Sequence, residues 1–378
     1  MTAMIPITKP CLSIEEVNYV AETIHSGWVT QGPRVQEFEE KFAAVVEAPY
    51  AVAVSSCTTA LHLALIAAGI GPGDEVVCPS LSFIATANAI RYVGAEPVFA
   101  DVDPETYNID INSATSSLSR RTRAILIVHQ MGLPADIDAF LQLCRENQLH
   151  LIEDAACAVG SRYKNRPVGS HSDLVCFSFH PRKVITTGDG GMITTHRQDY
   201  YERLKKLRQH GMSVNDRARH ESKDVVLESY DEIGYNYRLT DIQAAMGIKQ
   251  LEKLSWIIEQ RRKIAETYNR AFVSHPNLKI PFESLESFTN YQSYSLYVKE
   301  KASISRNTLM QKLLDKGIGT RRGIMSIHRE IPYQSFFNKS LPVTEDLSDR
   351  SILLPIYPEM PEDFCREIID AIWTELVP

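Results

Sequence analysis

From residue 13 to residue 179 the chain alternates amphipathic stretches with short apolar runs. Ser13 caps SIEEVNYVAETI at 13–24, whose spacing predicts a helix. A Gly/Pro turn, SGWVTQGP at 26–33, separates it from a second helical stretch, RVQEFEEKFAAVV. YAVAVSS at 50–56 is β-rich and leads straight into the helical CTTALHLALIAAG, ended by Gly69. DEVVCPS then predicts a buried strand and SFIATANAIRYVG a helix. EPVFADV, RAILIVHQ, LHLIEDA and LVCFSF predict further strands, with helical segments expected at 136–147 and 154–159. Strand and helix alternating at this spacing mean βαβ units and a mostly parallel sheet. Such a sheet carries its chemistry at the carboxyl ends of its strands. Past Gly191 longer helical stretches appear, and one expected helix runs from 241 to 272. The expected fold class is α/β: a large domain over 1–250 with a mostly parallel central sheet, and a smaller α+β domain over 251–378.

Composition narrows the function classes. The formal net charge is −7, from 40 Lys+Arg against 47 Asp+Glu, which argues against a general nucleic-acid binder. No apolar run approaches the ~18 residues of a membrane span. The opening MTAMIPITKPCLSIEE has no basic flank followed by an apolar run, so no signal peptide is expected. The seven cysteines show no CxxC spacing, which disfavours a zinc site or a disulfide framework and fits a reducing cytoplasm. The 11 histidines show no HxxxH, so no catalytic metal is expected. GIGPG at 69–73 follows a helix and precedes a strand, the reverse of a dinucleotide fingerprint.

The candidate chemistry lies at the strand ends. Ser55, Ser56, Cys57, Thr58 and Thr59 join a strand to a helix N-terminus, where free N–H groups and hydroxyls make either an anion cup or a simple cap. Glu153 and Asp154 end an apolar strand; a buried carboxylate there needs a cation or strong hydrogen bonds, or else it caps the helix expected after it. Lys183 lies in FSFHPRKVITTGDGG beside Arg182, either a solvated loop lysine or an activated amine. Phe83 begins a helix just after a strand and is either core or a stacking platform. Asn236 sits in a tyrosine-rich turn. In this order on a parallel α/β chain they supply a phosphate cup, a stacking ring, a carboxylate for a pyridinium nitrogen and a Schiff-base lysine. Those are the parts of a pyridoxal phosphate site.

The wording of these segments also resembles the DegT/DnrJ/EryC1/StrS family of sugar aminotransferases. The carriers are SGWVTQGP, SSCTTALHLAL, GPGDEVVCPS, SFIATANAI, LIEDAACAVGS, FSFHPRKVITTGDGG and GYNYRLTDIQAAMG, from about Pro6 to His328. The resemblance implies an aspartate aminotransferase-type fold and pyridoxal phosphate as cofactor, cycling through pyridoxamine phosphate. It implies Lys183 as the Schiff-base lysine, Asp154 on the pyridine nitrogen, and Phe83 on the ring. Thr58, Ser178 and the Cys57 backbone would hold the phosphate, and Asn236 would reach the phosphate of a neighbouring subunit in a homodimer. Cys157 stands where a polar residue often touches cofactor or substrate. His328 would approach the substrate, with Arg321 and Arg322 as candidates for a carboxylate or diphosphate. The implied substrates are glutamate and a keto-deoxy sugar linked to a nucleotide, for deoxyamino-sugar biosynthesis. Cys57, Cys157, Asp189 and the HQMG at 129–132 depart from the family's usual wording. A sugar 3-dehydratase on the same fold carries His where this chain has Lys183, and an intact lysine, aspartate and cup speak against a non-catalytic regulator.

Overall fold

The computed structural model describes residues 4–214, 224–225, 227–334 and 339–376. Its strands begin with Tyr50–Val54 (β1), Glu75–Pro79 (β2), Glu96–Ala100 (β3), Thr122–Val128 (β4) and His150–Asp154 (β5). Arg162–Tyr163 (β6) and Arg166–Pro167 (β7) come next, then Val175–Ser178 (β8) and Gly191–Thr195 (β9). A seven-stranded sheet runs β1-β9-β8-β5-β4-β2-β3. The pairs β2–β3, β2–β4, β4–β5 and β5–β8 are parallel, and β9 is antiparallel to both its neighbours. The apolar runs are unbroken because each face of the sheet is covered. Val52 and Val54 face one core with Leu61, Ile90 and Ile152, while Ala51 and Ala53 face another with Phe38, Phe42 and Phe177. That split is the period-two alternation of a strand buried on both sides.

A second sheet forms from Leu278–Lys279 (β10), Tyr294–Val298 (β12), Arg321–Arg322 (β13) and Ser351–Leu354 (β14), in the order β10-β12-β14-β13. Ser287–Phe288 (β11) instead pairs with β6, which pairs with β7. The helices Leu254–Phe272 and Glu362–Glu375 pack on the second sheet through Tyr268, Phe272, Ile368 and Ile372. Ile5 joins that core: its N–H donates to Gly317 O at 2.8 Å and it bridges Ile318. Among the described residues, no helix is long and apolar enough to cross a membrane.

Three expectations need correction. Residues 155–160 are turns rather than part of a helix; the carbonyls of Cys157 and Val159 are claimed by Asn290 Nδ2 instead of by a helical ladder. The helix expected over 241–272 is two, Asp241–Glu252 and Leu254–Phe272. Lys253 separates them, its ammonium held by Ser13 and Glu16. The segment after Gly190 enters β9 before any helix, because Met192 and Ile193 fill the two cores between β1 and β8.

Candidate active site

β1, β5 and β8 point their carboxyl ends to one edge of the sheet. Gly191 pairs with Val54 on one side and Ser178 on the other, so the segments that leave β1 and β8 converge there. The helix Cys57–Ala67 starts directly after β1. Its capping falls on Ser56 and Thr59: Ser56 Oγ accepts from Thr59 N–H at 3.2 Å and Thr59 Oγ1 accepts from Ser56 N–H at 3.1 Å. The N–H groups of Cys57 and Thr58, at the first two helical positions, have no helical carbonyl to bond. Among the described residues the Thr58 hydroxyl has no partner, and Ser178 Oγ only accepts a 3.4 Å bond from His180 N–H. A Cβ on Gly191 would lie 2.5 Å from Ser56 C and O and 2.7 Å from Cys57 N. The cup therefore closes only against glycine, and two free N–H groups, two hydroxyls and a helix N-terminus line it.

Asp154 ends β5 and is buried, 6% exposed. Its Oδ1 accepts from Ala156 N–H at 3.1 Å and its Oδ2 from Thr86 Oγ1 at 3.0 Å. Burial pushes its pKa up against those bonds and the charge of Lys183. Asp154 thus organises the turn after β5, and its ionised form is costly to bury. Cys57 Sγ approaches Oδ1 at 4.0 Å, and burial with that carboxylate pushes its thiol well up.

Lys183 lies in the loop between β8 and β9, its N–H donating to His180 O at 2.8 Å. Its Nζ donates to Cys157 Sγ at 3.2 Å. Burial pulls the ammonium down, but Cys157, Asp154 and Cys57 outweigh it and leave the pKa above its ordinary value. Arg182 is lowered by burial and by Arg321; His180 is lowered by burial and by Arg182. Arg182 and Arg321 thus act on one another and on His180 beside the lysine, and Asp189 opposes them at His180. Lys183, Asp154, Cys57 and Cys157 form one connected cluster.

The other expected site residues fall on separate elements. Phe83 is 65% exposed, just ahead of the helix Ala85–Tyr92. Asn236 is exposed in a bridge to Gln209. Arg321 is exposed at the start of β13. His328 is buried, with Nδ1 2.7 Å from Ser80 Oγ and Nε2 3.3 Å from Glu345 Oε1. Sequence reasoning missed His129. It follows β4, accepts at Nδ1 from Ala135 N–H at 3.0 Å, and so carries its proton on Nε2, 2.8 Å from Glu153 Oε2. Both side chains are fully buried. The available signal was two adjacent parallel strands, each ending an apolar run in a polar residue.

The family model for the DegT/DnrJ/EryC1/StrS aminotransferases matches residues 10–373. The spore coat polysaccharide biosynthesis protein SpsC of Bacillus subtilis is 39% identical over 373 residues, covering 97% of this chain and 96% of its own. The GDP-perosamine synthase of Escherichia coli O157:H7 is 37% identical over 369 residues, covering 97% of each chain. A putative sugar aminotransferase of Streptococcus pneumoniae, solved in PLP and PMP forms, is 25% identical with TM-scores of 0.91 and 0.92 over 98% of each chain. Fold and site together define a pyridoxal-phosphate-dependent aminotransferase. The chain belongs to the DegT/DnrJ/EryC1/StrS aminotransferase family.

Proposed function

We propose that this sugar aminotransferase moves an amino group from glutamate to the keto group of a deoxy sugar linked to a nucleotide. The observation that carries this reading is the convergence of the Lys183 amine, the buried Asp154 carboxylate and the Cys57–Thr58 cup on one sheet edge. Pyridoxal phosphate supplies an aldehyde that takes up amines and a pyridinium ring that accepts electrons. The residues present fit it: a cup of free donors for a dianion, and a buried acceptor-only carboxylate for a ring N–H. Lys183 anchors the cofactor and, once released, its Nζ carries the proton. Asp154 holds the ring nitrogen protonated, each pKa unit of that bias being worth ~1.4 kcal/mol. Thr58, Ser178 and the Cys57 N–H bind the phosphate, and Phe83 stacks on the ring.

The remaining assignments belong to the same proposal. Asn236 completes the phosphate site of a second copy in a homodimer, Cys157 borders the cofactor, and Arg321 with His328 serves the sugar side. The enzyme works in the cytoplasm, where its amino sugar enters a surface polysaccharide or related glycan. The test is direct. The purified protein, given pyridoxal phosphate, should gain a visible band that glutamate bleaches. It should then release 2-oxoglutarate in step with one member of a panel of nucleotide keto-sugars. A protein that never gains the band sinks the reading. A band that glutamine, not glutamate, bleaches corrects the donor.

A further inference from the structure

Lys183 Nζ and Cys157 Sγ meet at 3.2 Å, yet each sits in a loop rather than in a ladder or helix. Both loops are gripped by one short stretch, Thr289–Gln292, just ahead of β12. Asn290 is fully buried and donates Nδ2 to Cys157 O at 2.9 Å and to Val159 O at 2.8 Å. Its Oδ1 accepts from Gln292 N–H at 2.8 Å, and its N–H donates to Ser161 Oγ at 3.1 Å. Every polar group of its side chain is therefore used, and the amide cannot turn over without losing them. Two positions on, buried Gln292 donates Nε2 to Arg182 O at 2.6 Å, in the peptide that leads into Lys183. Among the described residues Gln292 Oε1 has no partner, so that single bond holds the side chain.

The gripping stretch is itself fixed. Arg261 Nη1 donates to the carbonyls of Tyr291 and Gln292, both at 3.1 Å. Tyr291 takes φ 46°, a left-handed conformation that an aromatic residue adopts only when its surroundings impose it. Gly132 of HQMG adapts to the same stretch: at φ 99° a Cβ there would fall on Asn290 Oδ1.

We propose that Asn290 and Gln292 are positioning residues that hold Cys157 Sγ against Lys183 Nζ, and that Cys157 is the catalytic partner with which the free amine shares its proton; this rests on Lys183 being the reacting amine. An amine and a thiol in direct contact exchange a proton without water. Asp154 and Cys57 also act on the lysine, Arg182 faces Cys157, and His180 faces the lysine, with Asp189 and, from β13, Arg321 acting in turn on His180. Cys157 leads those that hold the proton on the lysine against burial.

The test uses cofactor-free full-length protein, with acetic anhydride as the probe and Lys183 acetylation read by peptide mass spectrometry against pH. Cys157→Ala should leave more of the amine neutral and raise acetylation at pH 8 about tenfold, the scale of one charge-assisted hydrogen bond. Asn290→Ala should move it the same way, and Cys157→Ala/Asn290→Ala should go no further than Cys157→Ala alone. Gln292→Met, which keeps the bulk and loses the donor, runs through the same cycle and decides the matter where Asn290→Ala does not fold. Unchanged acetylation in Cys157→Ala, or full additivity in either double variant, overturns the proposal. The visible band with pyridoxal phosphate is scored separately. Failure of the pair with a normal band leaves the aminotransferase reading standing, and loss of the band in the wild type overturns that reading instead.

Discussion

Gly191→Ala tests the phosphate cup at its narrowest point. The new methyl would lie 2.5 Å from Ser56 C and O and 2.7 Å from Cys57 N, all backbone atoms that no rotamer change can clear. Ordinary contact needs at least 3.4 Å, so β9 and the start of the helix must separate by most of an ångström. Overpacking of this kind costs about 1–3 kcal/mol of stability. The same displacement pulls the Cys57 and Thr58 N–H groups away from a bound phosphate. Losing one charge-assisted hydrogen bond, worth ~1.5–3 kcal/mol, weakens binding roughly 10- to 100-fold. The assay is a titration of cofactor-free protein, followed by visible absorbance, with pyridoxal phosphate and with pyridoxal that lacks the phosphate. Affinity for the phosphorylated form should fall by that factor while affinity for pyridoxal stays within about twofold. An equal fall for both ligands would refute the cup as the phosphate site, since the damage would then be general.

Lys183→Ala should retain cofactor without a covalent link and lose transfer; normal turnover would refute the assignment. Asp154→Asn should weaken cofactor binding less than it slows turnover, because the carboxylate acts chiefly on the ring's charge, and a pure rise in KM would argue otherwise. His129→Leu strands the buried Glu153 carboxylate and should cost ~3–5 kcal/mol by urea unfolding; a loss below about 1 kcal/mol, the scale of a surface pair, would show that the two are not coupled. Glu16 is buried, and hydrogen bonds from Lys253, Gln250 and Ser13 overcome that burial to hold its pKa at about 2. Its folded pKa is thus depressed, so its contribution of roughly 3 kcal/mol is complete above the ordinary carboxylate range and fades as pH falls through it towards 2. The stability gap between wild type and Glu16→Gln should shrink over that window; a gap independent of pH refutes the pairing.

Much of the large sheet was legible because its strands are apolar runs set off by Gly, Pro and Ser, and local patterns record burial. That the segments carrying Lys183 and Asp154 lie together was legible because the loops after parallel strands converge by geometry alone. What was not legible depends on distant partners. Nothing local says that Ser56 and Thr59 cap one another and thereby free Thr58. Nothing in AACAVG says that a residue more than a hundred positions later will take its carbonyls and forbid a helix. β9 was hidden because GMITT is too short to show a period, and its strand character comes from β1 and β8 on either side. Asn290 and Gln292 sit in a polar NYQSY that reads as an ordinary strand entry, and only the contacts give them their place.

The bridge from Ile5 to Ile318 sets a schedule for synthesis. At about 5–20 residues per second, Ile5 leaves the ribosome roughly 15–60 s before its partner exists. During that interval β1 can already settle against β9, while the segment around Ile5 stays unclaimed. A bulky fusion placed ahead of Met4 would burden this last closing step and leave the earlier sheet untouched. Such a fusion should slow the final acquisition of protease resistance by the C-terminal sheet in a translation time course, without delaying that of the large one.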